Sequence, residues 1–330
     1  QIPFSYFPET GIKFTKLQLR SGGSMIDGTL RIAPDAGIEG SVDGSIDLEG
    51  LAFLKPTVDS FSGQARTELK VTGSLSEPVL NGSIVLSGTE CVAHLPFDLP
   101  VRDLDGKLEI VGNRLHIGEI TGRPEGGRLW MSGELFLAGF KPVQGSLLWK
   151  AEGVPIRYPE GLETVNRADL GLRFSEGRGF LGGTLSMDQG IYTRNVDIDN
   201  LIALIGEGNT ETETSQLENG ESTRGKWLNL DVEMVTASPL DVDIKLVRGQ
   251  ATGNLHLRGT ASSPLLTGRL EMTEGTIEYR GHVFEVTGGS VGFLNARLIE
   301  PSFDFSGRTE VTGFDRDGEV TDYIVCLLYT

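Results

Sequence analysis

The chain has 330 residues, enough for two ordinary domains or one extended repetitive one. Asp plus Glu number 46 against 29 Lys plus Arg, a formal net charge of −17, which disfavours nucleic acid or an anionic lipid surface as a direct partner. Glycine reaches 45 residues, yet no Gly-X-Y period runs through the chain, and with 38% hydrophobic residues it is neither a collagen nor an acidic disordered tail.

Strand signals open the chain. Leu30 and Ile32, then Ile46 and Leu48, alternate with polar residues, and a period of two gives each strand one apolar and one polar face. The dipeptides Asp27-Gly28, Asp43-Gly44, Asn81-Gly82 and Asp105-Gly106 accept the positive φ angles of tight hairpins and predict turns, as does Asp317-Gly318 further on. Residues 71–84 read apolar-x-Gly-x-x-x-x-Pro-apolar-Leu-x-Gly-x-apolar, and residues 257–270 repeat that pattern. A second echo pairs 183–190 with 268–275, each continuing to an Ile and a Tyr. Repeated units of this kind point to a stacked or laterally extended array, with the Pro between strands where its missing N–H costs no ladder bond.

Helix is scarce. Residues 196–205 place Ile198, Leu201, Ile202 and Ile205 at helical spacing, with Asp197 or Asp199 able to cap them. This predicts either a surface helix or a flap over a neighbouring apolar surface. Residues 206–226 are polar and acidic and predict a flexible loop. Alternation then resumes: Leu228, Leu230, Val232 and Met234 face away from Asn229, Asp231 and Glu233, and Leu240, Val242, Ile244 and Leu246 face away from Asp241, Asp243 and Lys245. Leu255/Leu257, Leu270/Met272, Ile277/Tyr279 and Phe303/Phe305 continue it.

The fold class read from this is all-β: an elongated, curled, mostly antiparallel sheet of repeated units forming an open groove, with one short helix and an acidic loop. Aromatic residues make up only 7%, so large core-filling groups are few, while Gly182-Gly183 and Gly288-Gly289 permit sharp bending. A set of ordinary β-sandwiches is the alternative. The expected organisation is a repeated β-groove over 1–195, the helix and acidic loop over 196–226, and a further groove segment over 227–330.

A groove lined by Leu228, Leu230, Val232, Met234, Leu240, Val242, Ile244, Leu246, Leu255, Leu257, Leu270 and Met272 suits acyl chains. Each buried CH₂ contributes about 0.8 kcal/mol without directional contacts, so a chain can slide along it. Catalytic patterns are weak. Gly288 to Gly292 fits Gly-x-Ser-x-Gly, but strand alternation continues through it and the last histidine, His282, lies upstream. His94, His116, His256 and His282 lack ligand spacing, and the Asp103 and Asp315 runs lack the later ligands of a calcium loop. No enzyme, metal or cofactor is predicted. Cys91 and Cys326 predict two separately buried thiols, with a single bridge as the alternative. No run approaches the ~20 apolar residues of a membrane-spanning helix. The start at Gln1 and the end in mid-strand pattern read as a piece of something longer.

The Gly-x-x-x-x-Pro-apolar-Leu-x-Gly unit, the 268–305 run (Gly-x-Leu, Gly-x-Ile-x-Tyr, Gly-Gly-x-Val-x-Phe, Pro-x-Phe) and the pairing of 154–161 with 168–172 resemble the C-terminal region of the TamB family over residues 60–330. That resemblance implies an AsmA-like bridge across the periplasm of a diderm bacterium, anchored to the inner membrane by a segment absent here. It implies phospholipid as cargo, a TamA-like Omp85 barrel as outer-membrane partner, and a link to outer-membrane protein and autotransporter assembly and secretion. Two other readings stand beside it: a scaffold that templates outer-membrane strands, and a β-repeat surface adhesin.

Overall fold

The computed structural model describes residues 4–7, 11–33, 35, 37–50, 58–74, 76–94, 98–139, 141–158, 160–193, 225–244, 247–293, 302–314, 316 and 319–329. The strands are β1 (Phe4–Phe7), β2 (Gly11–Ser21), β3 (Ser24–Ile32), β4 (Ile38–Asp47), β5 (Val58–Ser62), β6 (Gln64–Gly73), β7 (Pro78–His94), β8 (Asp98–Gly112), β9 (Arg114–Pro124) and β10 (Arg128–Ala138). They continue as β11 (Lys141–Ile156), β12 (Leu162–Ser175), β13 (Arg178–Tyr192), β14 (Leu228–Thr236), β15 (Leu240–Ile244), β16 (Val247–Thr260), β17 (Ser263–Tyr279), β18 (His282–Phe293), β19 (Ser302–Phe314) and β20 (Val320–Tyr329). The described helical content is one 3₁₀ turn, Leu48–Gly50. The strands form a 20-stranded, mostly antiparallel sheet, and the chain divides into two units, 1–154 with 169–179, and 155–168 with 180–330.

In the first unit an antiparallel ladder runs β1, β2, β3, β4, β6, β7, β8, β9, β10, β11. β5 and β6 share the long β7, each taking one end of it. Val101 and Leu104 of β8 pack with Ile117 and Ile120 of β9, and Leu86, Cys91, Met131 and Leu147 close around them from neighbouring strands. Every one of these groups comes from strands next to one another in one ladder. A single layer buries apolar side chains in this way by curling onto its own inner face, as bulges and glycine kinks allow.

In the second unit β14 and β15 pair antiparallel with β16, which is followed by β17, β18, β19 and β20. β13 runs parallel to β15, with Ile191 beside Asp241 and Tyr192 beside Val242.

The sequence repeats become matching hairpins. Gly73 faces Pro78 and Val71 faces Leu80 in one; Gly259 faces Pro264 and Leu257 faces Leu266 in the other. Ser74 and Ser76 hydroxyls lie 3.0 Å apart at the first tip, and Thr260 and Ser262 hydroxyls 3.0 Å apart at the second. Further along, Gly82 (φ 149°) and Gly268 (φ 123°) occupy equivalent places. A Cβ there would run into the Glu68 and Asn254 carbonyl oxygens of the adjacent strands.

That placement corrects the predicted turns. Asp27-Gly28 lies inside β3, Asp43-Gly44 inside β4, Asn81-Gly82 inside β7 and Asp105-Gly106 inside β8. A glycine that tolerates positive φ serves an in-strand bend as well as a reversal, and at Gly82 it serves the bend. Two of the true reversals are Glu176-Gly177 (φ 52° and 73°) and Arg280-Gly281 (φ 50° and 78°), pairs with both central angles positive, as two-residue hairpins require. Both cysteines are free, and Cys326 is exposed, not buried as predicted, because it sits on the outer side of β20. Asp317-Gly318, the 196–205 helix and nearly all of the acidic loop lie outside the described residues.

Candidate functional site: an aliphatic inner face

Alternation decides which side chains meet. In β14 Val232 is buried and Leu228, Leu230 and Met234 half-buried on one face, while Asn229 and Glu233 are exposed on the other. β15 repeats this with Leu240 buried, Val242 and Ile244 half-buried, and Asp241 and Asp243 exposed. Cross-strand register then builds rows. Met234 faces Leu255, which faces Gly268; Val232 faces Leu257, which faces Leu266; Leu240 faces Ala251, which faces Met272. Leu270 stands between Gly253 and Val291. Eleven of the twelve residues proposed from sequence thus share one face of the second unit; Leu246, with Ile198, Leu201, Ile202 and Ile205, lies outside the described residues.

The face is greasy but not sealed. Val232, Leu240, Leu255 and Met272 are buried, but Leu228, Leu230, Met234, Val242, Ile244, Leu257 and Leu270 beside them stay half-buried. A core capped by a second layer closes its large aliphatic groups completely. Among the described residues no second sheet faces this surface.

The opposite side of the same strands is polar. Arg248 Nε lies 3.1 Å from Asp243 Oδ1, and Gln250 Nε2 donates to Asp241 Oδ1 at 3.0 Å. His256 Nε2 lies 2.8 Å and Arg258 Nε 3.6 Å from Asp231 Oδ1. Exposed pairs of this kind contribute about 0–1 kcal/mol each, so their effect is to keep this side wet. At the first strand of the unit the inner face turns polar: Asn166 Nδ2 donates to Thr164 Oγ1 at 2.7 Å, and Thr164 Oγ1 donates to the Ile156 carbonyl at 3.3 Å. A Cβ on Gly190 would touch both Thr164 and Leu240, so this polar step adjoins the aliphatic rows directly.

Several inner-face residues escape a scan for alternation. Met187 is buried and matches Met272 through the 183–190 echo, which was its one visible signal. Phe284 and Val286 change parity relative to the later half of β18 because the register shifts between Val286 and Gly288. Leu104 falls inside a register shift of β8 against β9, between Arg102 and Asp105, so no regular period marks it. Cys91, on the inner side of the first unit, has its thiol pushed up to about 11 by burial. The Gly-x-Ser-x-Gly run is the middle of β18, where Ser290 lies between Glu271 and Asp304 in a continuous ladder, without the strand-to-helix turn a nucleophile elbow needs.

An all-β sheet of recurring hairpins, aliphatic on one side and charged on the other, is the architecture of repeating β-groove proteins. A family model, the TamB C-terminal domain, matches residues 118–329, from within β9 to the end of β20. The chain belongs to the TamB family. No curated protein matches it. Among the described residues no helix is long and apolar enough to cross a membrane.

Proposed function

We propose that the chain is part of a bridge that conducts phospholipid between the inner and outer membranes of a diderm bacterium, its acyl chains lying against the inner face. The observation that carries this reading is the unsealed aliphatic face of the second unit, set against a polar outer side. Family membership supports the setting: a periplasmic location, an inner-membrane anchor elsewhere in the protein, a TamA-like Omp85 barrel as partner, and a contribution to outer-membrane protein assembly. The test is lipid mass spectrometry on the purified chain and a vesicle-to-vesicle transfer assay. The wild type carries phospholipid, and Leu257→Arg or Val242→Arg, each placing an unpaired charge among the aliphatic rows, lowers transfer about tenfold or more, equivalent to about 1.4 kcal/mol. Undiminished transfer by both variants sinks the assignment of this face.

A second reading, a scaffold for outer-membrane strands, is favoured by one feature. Among the described residues β20 pairs on one side only, with β19, and leaves an edge open to strand addition. Photo-crosslinkers on β20 that capture polypeptide, with none captured from the inner face, would favour it over the lipid reading.

A further inference from the structure

Charge stays off the inner face of the second unit until one turn. From β14 through β18 no described inner position holds Asp, Glu, Lys or Arg, and Arg248, Arg258 and Arg269 all fall on the outer side. The last aliphatic row before the strands end is Ile244, Val247, Ile277 and Phe284, each facing the next. Two residues further along, Tyr279 faces His282 across the two-residue turn Arg280-Gly281. Side chains in a strand share a face at every second residue, so the phenol and the imidazole border that row directly. Arg280 lays its guanidinium over the Tyr279 ring, 5.4 Å from the centroid. Within one step of the ladder the face passes from aliphatic to cationic.

The fold makes no use of that charge. Among the described residues Arg280 has no ion-pair partner, whereas Arg248 and Arg258 on the outer side lie beside Asp243 and Asp231. The turn gains nothing from it either. Arg280 and Gly281 both have positive φ, 50° and 78°, and the first place of such a turn suits Asn, Asp or Gly. The other reversal of this geometry carries an acid there, Glu176. Space around the turn is open, since a Cβ on Gly281 would meet nothing within 4 Å. An unpaired guanidinium, held flat on an aromatic ring at the end of an oily row, matches an amphiphile with an anionic head.

We propose that the β17–β18 turn is a phosphate-binding rim site, where Arg280, with His282 opposite Tyr279, takes the phosphate of a phospholipid whose acyl chain lies on the row from Ile244 to Phe284. The guanidinium presents a planar fork of N–H donors that meets two phosphate oxygens at once, and the imidazole supplies a further ring N–H. Tyr279 is a positioning residue that keeps the fork at the edge of the aliphatic surface. This site presupposes the lipid reading above and adds a choice of cargo to it: amphiphiles that carry a phosphate are held at the turn, and those with a neutral head are not.

The experiment uses the full 330-residue chain, delipidated in detergent, and calorimetric titration with two monomeric probes of the same acyl chain. One is lysophosphatidylglycerol; the other is the monoacylglycerol that lacks its phosphate. Wild type is expected to bind the first about tenfold more tightly, the size of one charge-assisted contact. Arg280→Asn, which suits a positive φ and so keeps the turn, should bring the two probes level and leave monoacylglycerol binding unchanged. Arg248→Gln removes the same charge from the outer side and should keep the full preference. Equal affinities in wild type, a preference that survives Arg280→Asn, or one that Arg248→Gln abolishes as well, overturns the site and leaves the lipid reading standing, because both probes still bind. Binding of neither probe by wild type overturns both. Inorganic phosphate alone should give no measurable heat; tight binding of it would mark a site for the free anion and overturn the assignment to lipid.

Discussion

At Gly82 and Gly268 a hydrogen in place of a methyl group decides how closely two strands can approach. Alanine there meets a backbone carbonyl that cannot move without breaking its ladder, and its φ is one that side chains rarely adopt. Gly82→Ala is predicted to cost about 1–3 kcal/mol in urea unfolding. Gly171→Ala, whose Cβ would meet only Leu148 Cδ2 at 3.5 Å, should stay within about 0.5 kcal/mol of wild type. Thr67 is a different residue-scale case: its hydroxyl is sealed inside the first unit with no hydrogen-bond partner among the described residues. Thr67→Val should therefore raise stability by about 1 kcal/mol, and a loss of that size would mean the hydroxyl is bonded after all. The two thiols should also separate. Exposed Cys326 reacts with a disulfide reagent at pH 8 well before Cys91, whose thiol burial holds protonated. Since the folded pKa of Cys91, about 11, lies above the ordinary thiol value of 9.0, the stability tied to its neutral form is intact below pH 9 and is lost as pH rises through 11. A melting-temperature profile over that window should be steeper for wild type than for Cys91→Ala.

Among the elements, β20 stands apart. Its outward residues Val320, Ile324 and Leu328 are all exposed, and Phe314 of β19, opposite Val320, is 75% exposed. Asp322, between Val320 and Ile324 on that side, accepts from Thr312 Oγ1 at 2.7 Å. An open edge with apolar groups on its outer side favours edge-to-edge association. Light scattering at rising concentration should show self-association of wild type that Ile324→Lys with Leu328→Lys suppresses; equal association would point to another surface. The elements were largely visible in the sequence. Alternation at Leu228–Met234 and Leu240–Ile244 specifies faces because side chains in a strand switch sides at every residue, and the two Pro-containing repeats became hairpins of one register. The Asp-Gly and Asn-Gly dipeptides misled because one backbone freedom serves both a reversal and a bend. Strand direction was illegible: alternation reads the same upward as downward, so nothing in residues 183–192 or 240–244 distinguishes the parallel step from a hairpin.

For the whole molecule, an apolar face left unsealed predicts that occupancy and stability are linked. A phospholipid that binds only the folded chain should raise its melting temperature, and exhaustive detergent delipidation should lower it. No change in either direction would mean that the face holds no acyl chain. The bends at Gly82 and Gly268 are set by main-chain geometry and owe nothing to whatever occupies the concavity. Each unit is in that sense a mould cast in advance, with the same contour idle or laden. On the lipid reading proposed above, loading and unloading then require no strand to unzip, so traffic along it is fast and reversible.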